Sequence, residues 1–321
     1  MSNYAYIVAA CSKYLPEVTA LLNSLDYVGN KQDVMLIGIE LTDEFDAQLK
    51  NLGYYVFHHK VEQTEIEASR GISEVTCRKR YWYAAEFGKG YDAVCVLDAD
   101  MIFCRNPIQY FDIAAKTGFI LGPHKEQNKA YDDDHYFTNG KWEWKTQRGY
   151  WNDKDLCNSP VFLDAKLWKT ALEKEWTVFM DEGFKGPDMD AMNLSFLEYG
   201  GHDKIVKLCG YQWLGTNEQH LKPYIRVVTK NDGKIWSENG TEIFCYHGHY
   251  GHRAWRQCQL DNRHRCSGGY LKARDESLLA CDNIAKGSMD LLYSHFLKML
   301  SYKIVLEKKN YRHPEEPYEE Q

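Results

Sequence analysis

Two carboxylates, Asp98 and Asp100, stand one residue apart where an apolar run stops. The run Val94–Leu97 has the composition of a strand buried in a parallel sheet. Carboxylates at such a strand end are costly unless something neutralises them, and a divalent cation is one common remedy. Ligands also bind at the carboxyl ends of strands in open α/β sheets. The pair therefore predicts either a metal site that bridges to a phosphate or a solvated strand-to-loop turn, and both stay open at this point.

A cluster of histidines offers a further ligand. His247, His249 and His252 fall within six residues, directly after a predicted strand. One of them could complete a site begun by the two carboxylates, and two carboxylates with one imidazole suit a borderline ion such as Mn²⁺. The alternatives are ordinary surface or core imidazoles, or a zinc site. The zinc site would use Cys258, His264 and Cys266 with one of these histidines, although that spacing is not a familiar zinc pattern.

Strand and helix patterns alternate over the N-terminal half of the chain, which predicts a sheet with crossover helices. The predicted strands are 4–10, 34–39, 54–58, 94–103, 119–122, 156–163, 204–208, 225–228 and 242–246. The predicted helices are 15–25, 43–52, 74–87, 166–175, 189–198, 276–285 and 289–307. Two stretches are predicted as loops, the polar segment 62–71 and the long aromatic segment 131–151.

Composition sets broad limits on function. The chain has 321 residues, of which 44% are hydrophobic and 26% charged, with a net charge of −7. We therefore expect a globular protein that does not attract nucleic acid or an acidic membrane. No apolar stretch is long enough for a membrane span, and no signal peptide is visible at the start. The ten cysteines lie singly, as in a reduced protein, so the sequence predicts a cytoplasmic location.

Six short motifs together resemble one family. They are Ile7–Tyr14 followed by Asn23-Ser24-Leu25, Arg78 one turn before Trp82, Asp98-Ala99-Asp100, Asn158-Ser159, Asp188-Met189 followed by Asn193, and His247 followed by Arg253 and Trp255. In this order they resemble the GT-A glycosyltransferases, and most closely family eight, the glycogenin and bacterial galactosyltransferase branch. The chain departs from the family pattern where Pro160 replaces a Gly and where Met189 replaces a Gln.

The resemblance implies a fold and a domain organisation. The expected fold is α/β, a GT-A type, Rossmann-like, mixed and mainly parallel sheet flanked by helices, with a helical C-terminal extension. Residues 1–255 would form the nucleotide-sugar transferase domain. Residues 256–321 would form the extension and a frayed tail, packed on the same domain.

The resemblance also implies a site. Asp98, Asp100 and His247 would hold Mn²⁺ or Mg²⁺. A UDP-sugar donor would contact a larger set of residues: Ala9, Ala10, Ser12, Tyr14, Arg78, Asp98, Ala99, Asp100, Asn158, Ser159, His247 and Arg253. Tyr14 would stack on the uracil ring. The catalytic residues would be Asp188, Asp190 and Arg78.

The implied reaction is transfer of a hexose or pentose to a hydroxyl of a glycan, a protein-linked glycan or another acceptor. The family retains anomeric configuration, but Met189 lacks the polar group expected beside the anomeric carbon. Inversion with Asp188 or Asp190 as general base is therefore the alternative. The acceptor would lie against segment 131–151, where Trp142, Trp144 and Trp151 either stack on sugar or pack on the domain, and against residues 257–306.

Two other functions compete with this one. A nucleotidyltransferase can also place paired acids at a strand end, but it is expected to carry a Gly-rich basic loop after its first strand. Segment 9–14 has no Gly and a single Lys. A catalytically inactive scaffold of the same fold is the other alternative, and the presence of all three candidate metal ligands argues against it.

Overall fold

The computed structural model describes residues 3–51, 56–69, 71–123, 156, 159–181, 188–213, 227–229, 234–237, 240–247, 295, 298 and 299. The described α-helices are α1 Leu15–Tyr27, α2 Asp43–Asn51, α3 Gln63–Ala68, α4 Ile72–Gly88, α5 Ile108–Thr117, α6 Lys169–Met180 and α7 Asp188–Glu198. The strands are β1 Tyr4–Cys11, β2 Asp33–Ile39, β3 Val56–His59, β4 Ala93–Leu97, β5 Met101–Phe103, β6 Ile120–Gly122, β7 Val161–Leu163, β8 Ile205–Lys207, β9 Tyr211–Trp213, β10 Val227–Thr229, β11 Ile235–Ser237 and β12 Cys245–His247.

Seven strands form the main sheet, in the order β3-β2-β1-β4-β7-β6-β8. Strands β3, β2, β1 and β4 run parallel, β6 and β8 are parallel to each other, and β7 is antiparallel to both of its neighbours. Every residue of β1 and β4 is buried, as the apolar runs predict for central strands. Helices α4 and α5 pack on this sheet, and Phe111 of α5 stacks on Tyr4 with a ring separation of 5.1 Å. The predicted α/β architecture, a mixed and mainly parallel sheet flanked by helices, is confirmed.

Two compact units make up the chain. The first comprises Met1–Leu15, Lys31–Ala99 and Pro107–Leu208, and it contains the whole seven-stranded sheet. The second comprises Pro16–Asn30, Asp100–Asn106 and Cys209–Gln321. Its described strands form a three-stranded sheet, β5-β12-β9, and a hairpin, β10-β11. Within this unit α1 supports β5, because Ser24 Oγ accepts a hydrogen bond from the Phe103 amide at 3.0 Å.

Two local predictions were wrong, and one helix was not predicted. Segment 62–71 was predicted as a loop, but it contains α3, which begins with a capping box formed by Glu62 and Glu65. The apolar run 94–103 was predicted as one strand, but β5 pairs with β12 and not within the main sheet. No helix was predicted between 108 and 117, where α5 lies; it ends at Gly118, whose φ of 67° suits a residue without a side chain.

Two further predictions concern regions that the structure does not describe. The predicted domain boundary at residue 255 and the helix 276–285 lie outside the described residues. Among the helices of the described ranges, none is both long and apolar enough to cross a membrane.

Helix α4 carries three consecutive basic residues, and each meets a different carboxylate. Arg78 Nη1 donates to Glu175 Oε1 of α6 at 3.1 Å, and Lys79 Nζ lies 2.7 Å from Glu65 Oε1 of α3. Arg80 contacts Asp98 and Asp188. Successive helix residues point about 100° apart, so the three cations fix α4 in rotation against three different elements.

Glu175 gives this packing a pH dependence. Burial raises the pKa of Glu175 from its ordinary 4.5 to about 8, with Arg78 opposing the shift. A raised pKa in the folded state means that unfolding releases a proton between the two values. The free energy of unfolding therefore falls as pH rises from about 5 to about 8.

We predict that Glu175→Gln flattens this slope, because glutamine cannot titrate. Urea unfolding at several pH values in that window measures it. Glu173→Gln is the control, since Glu173 lies on the same helix but is paired with Lys169 nearer the surface, and it should keep the wild-type slope. Equal slopes for wild type and Glu175→Gln would contradict the prediction.

Candidate metal and donor site

The end of β4 and the end of β12 present the predicted metal ligands. Asp98 directly follows β4, and Asp100 directly precedes β5. His247, the last residue of β12, pairs with Met101 in antiparallel register, so it stands opposite the residue next to Asp100. His247 Nε2 lies 3.0 Å from Asp100 Oδ1, and both side chains are buried. One oxygen from each of Asp98 and Asp100 and one nitrogen of His247 all lie within 4.8 Å of one another.

This donor set fits a single divalent ion. Ligand oxygens and nitrogens bind such ions at roughly 2.1 Å, so two adjacent ligands of an octahedral ion lie about 3 Å apart. The 3.0 Å distance from His247 Nε2 to Asp100 Oδ1 is that of a directly paired imidazole and carboxylate, and both atoms belong to the group of candidate ligands within 4.8 Å of one another. Two carboxylates with one imidazole suit Mn²⁺ or Mg²⁺ better than the softer ions that prefer thiolates. Alignment with the family selected His247 from the three histidines, and the structure brings this one to Asp100.

Arg80 is the cation that the structure brings to Asp98. Its guanidinium contacts Asp98 through Nη1 and donates from Nη2 to Asp188 Oδ2 at 2.8 Å. The side chain is 2% exposed. Burial alone would lower the pKa of Arg80, but neighbouring Tyr81 and Asp188 outweigh burial and raise it above its ordinary value. Arg80 therefore stays charged and links the carboxylate after β4 to the first residue of α7.

Arg78, the basic residue selected from the family pattern, lies elsewhere. It is fully buried against α6, where it pairs with Glu175 and lies 4.2 Å over the ring of Phe179. It also pairs with Glu74 of its own helix at 3.2 Å. Arg78 and Arg80 are two residues apart on a helix and so point in nearly opposite directions. The residue that contacts Asp98 is therefore Arg80, and the predicted role of Arg78 toward the donor stays a prediction.

Ser159 supports the backbone of the metal motif. Its hydroxyl accepts a hydrogen bond from the Asp98 amide at 2.8 Å, and the residue is fully buried. Sequence comparison assigned Ser159 to donor binding; the contact that the structure gives it is with the chain itself. Its neighbour Asn158 lies outside the described residues.

The first strand brings two of the predicted donor residues, Ala9 and Ala10, to the same sheet edge. Val8 pairs with Leu97, so Ala9 is level with Asp98, and β1 runs on past it through Ala10. Ser12 Oγ accepts a hydrogen bond from the Thr42 amide at 2.9 Å. Tyr14 follows in a one-turn 3-10 helix and is 9% exposed.

Several predicted residues are not placed. Asp190 lies in α7 with only its backbone described. The others lie outside the described residues: Arg253, Trp255, His249, His252, the three tryptophans of segment 131–151, and the zinc candidates Cys258, His264 and Cys266.

Two residues that matter here were missed or given no role by the sequence analysis. Arg80 belongs to a run of three basic residues in a predicted helix. Such a run cannot share one face, and the sequence does not show which of the three side chains faces Asp98. Asn193 was noted as part of a motif. It lies in α7 and is 1% exposed.

Comparisons with known proteins give structural likenesses only. No protein-family model matches the chain, and no curated protein matches it. Among solved structures, an active-site mutant of LgtC is similar over 86% of this chain and 95% of that one, at 13% identity and a TM-score of 0.47. The bifunctional glycosyltransferase WbbM is similar over 67% of this chain, which spans only 40% of WbbM, at 13% identity and a TM-score of 0.46.

A third structure has ligands in its site. Glucosyl-3-phosphoglycerate synthase from Mycobacterium tuberculosis, solved with Mn²⁺, UDP and glucosyl-3-phosphoglycerate, covers 64% of this chain and 69% of its own. The identity is 12% and the TM-score is 0.39.

We predict that Arg80→Met lowers the free energy of unfolding by about 3–5 kcal/mol, because it leaves Asp98 and Asp188 without their shared cation. Arg80→Lys should lose less, since lysine keeps the charge but cannot donate to both carboxylates in the same way. Urea unfolding measures both variants, with Lys89→Met at the exposed end of the same helix as the control. Unchanged stability of Arg80→Met would contradict the ion pairs.

Proposed function

We propose that this chain is a metal-dependent glycosyltransferase that moves a hexose or pentose from a UDP-sugar to a hydroxyl of a glycan or protein-linked glycan. The observation that carries the proposal is the convergence of Asp98, Asp100 and His247 after β4. A sugar diphosphate is the kind of ligand that such a site suits, because its two phosphates can complete the coordination of the ion that three protein ligands leave open.

Asp98, Asp100 and His247 would hold Mn²⁺ or Mg²⁺, which offsets negative charge on the leaving diphosphate when bound. The chain's own residues do the rest. Arg80 keeps Asp98 in place and adds a fixed positive charge beside the phosphates. Ala9 and Ala10 present backbone without bulk at the level of Asp98, and Tyr14 lies just beyond them to stack on the uracil ring.

Asp188 would act on the sugar side. It begins α7 and is oriented by Arg80, so its carboxylate has a defined position relative to Asp98. Positive charge develops at the anomeric carbon as the glycosidic bond breaks, and a nearby carboxylate stabilises that charge. In this proposal Arg80 replaces Arg78 as the basic residue that faces the donor.

The proposed outcome is retention of anomeric configuration, by resemblance to family eight. The alternative is inversion, in which Asp188 or Asp190 takes the proton of the acceptor hydroxyl. NMR of the first-formed product distinguishes the two. An α-linked product from an α-linked UDP-sugar supports retention, and a β-linked product contradicts it.

The reaction itself is tested by hydrolysis of a panel of UDP-sugars with and without Mn²⁺. We predict metal-dependent release of UDP from at least one donor, and a loss of at least about 100-fold in Asp100→Ala and His247→Ala, because removing a direct ligand should cost more than removing an outer partner does. His58→Ala is the matched control, since His58 is half-exposed and pairs with Asp46 at 2.8 Å; it should keep wild-type activity.

Two results would contradict the proposal. Metal-dependent turnover of nucleoside triphosphates, and not of UDP-sugars, would favour a nucleotidyltransferase. Absence of turnover with every donor, in a protein that still binds UDP, would favour an inactive scaffold.

A further inference from the structure

The side-chain amide of Asn193 makes two hydrogen bonds to the backbone of a single residue. Its Nδ2 donates to the carbonyl of Leu156 at 2.9 Å, and its Oδ1 accepts from the amide of the same residue at 2.9 Å. Both residues are buried, at 1% and 0% exposure. An amide side chain that hydrogen-bonds both the N–H and the C=O of one buried residue fixes the position of the chain there.

Leu156, which Asn193 holds, lies five residues before the start of β7, where the ladder with β4 stops. Val96 pairs with Val161, so Leu97 is level with Pro160 and Asp98 with Ser159. Proline has no amide hydrogen and cannot continue the ladder. At the next position the Ser159 hydroxyl takes the hydrogen bond of the Asp98 amide. A side chain therefore supplies the acceptor at the metal motif, where the regular backbone pairing has ended.

Leu156 adds packing to the hydrogen bonds. Its side chain lies against Gly122, where an added Cβ would come within 2.6 Å of Leu156 Cδ2. The chain before β7 is thus held at Leu156 by Asn193 and by Gly122, and at Val161 by β4. Ser159 lies between these two fixed points, three residues from one and two from the other.

We propose that Asn193 is a positioning residue for the candidate metal site, which acts by fixing the chain at Leu156, three residues before Ser159, so that the Ser159 hydroxyl stays at the Asp98 amide. The importance of Asp98 rests on the proposed function. Helix α7 then orients Asp98 through two separate chains of contacts. Asp188, its first residue, reaches the Asp98 carboxylate through Arg80, and Asn193 reaches the Asp98 amide through Ser159.

The test uses Asn193→Ala with Ser195→Ala as the matched control. Ser195 is buried on the same helix, but its hydroxyl donates to the carbonyl of Ala191 within that helix. The first measurement is hydrogen–deuterium exchange at the Asp98 amide in the metal-free protein. We expect exchange at least about tenfold faster in Asn193→Ala and unchanged in Ser195→Ala, because only the first variant loosens the acceptor of that amide.

The second measurement is the affinity for Mn²⁺ alone. Loss of an outer partner of a metal ligand commonly weakens metal binding by about 10- to 100-fold, and we expect that range for Asn193→Ala and for Ser159→Ala. Ser159→Thr keeps the hydroxyl and should restore binding. In the double variant Asn193→Ala with Ser159→Ala, binding should be no weaker than in the weaker single variant, because both act through one hydrogen bond.

The outcomes separate this inference from the proposed function. Failure of the wild type to turn over any UDP-sugar would remove the glycosyltransferase proposal but leave the exchange measurement intact. Unchanged exchange at Asp98 in Asn193→Ala, or effects of the two substitutions on Mn²⁺ affinity that simply add, would overturn the positioning role. If Asn193→Ala does not fold, Asn193→Gln, which keeps both amide groups on a longer arm, takes its place in the same measurements with the same criteria.

Discussion

The structure around the candidate site depends on one buried cation between two carboxylates. Arg80 links Asp98, at the end of a fully buried strand, to Asp188, at the start of α7. Without a cation, two acids beside the core would repel each other and would have to bind protons or move toward water. The fixed guanidinium compensates the negative charge of both carboxylates at all times. A bound metal ion would add a second, exchangeable positive charge on the same motif.

This arrangement explains why α4 is so heavily constrained. Arg78 and Lys79 hold the helix against α6 and α3, so the direction in which Arg80 points is set before any ligand binds. Fixed charges that need no rearrangement when charge develops are the most effective form of electrostatic stabilisation in an active site. Residues that look like ordinary core ion pairs therefore help to fix the cation that contacts Asp98, one of the candidate metal ligands.

The sequence predicted the central sheet well because its strands carry a strong local signal. β1 and β4 are almost entirely apolar, and their complete burial follows directly from that composition. The pairing of Asp100 with His247 was reached through motif order, since a contact across that many residues has no periodic signal. The contact of Arg80 with Asp98 could not be predicted from the sequence, because it depends on which helix face meets Asp98. Adjacent basic residues are equivalent in their local sequence.

Other features were hidden for related reasons. α3 is polar and short, and its capping box of Glu62 and Glu65 carries more information than its hydrophobic pattern does. The separation of β5 from β4 is caused by pairing with β12, a partner far along the chain. The hydrogen bonds between the Asn193 side chain and the Leu156 backbone likewise join two segments that are distant in the sequence.

The proposed function requires that Asp98, Asp100 and His247 together hold one divalent ion where a sugar diphosphate would bind. Pulsed electron paramagnetic resonance of Mn²⁺ bound together with UDP tests it directly. The account predicts coupling of the ion to one imidazole nitrogen and to phosphorus, with the nitrogen coupling lost in His247→Gln and kept in His58→Gln. Bound Mn²⁺ that shows no nitrogen coupling, or a nitrogen coupling that survives in His247→Gln, would contradict it.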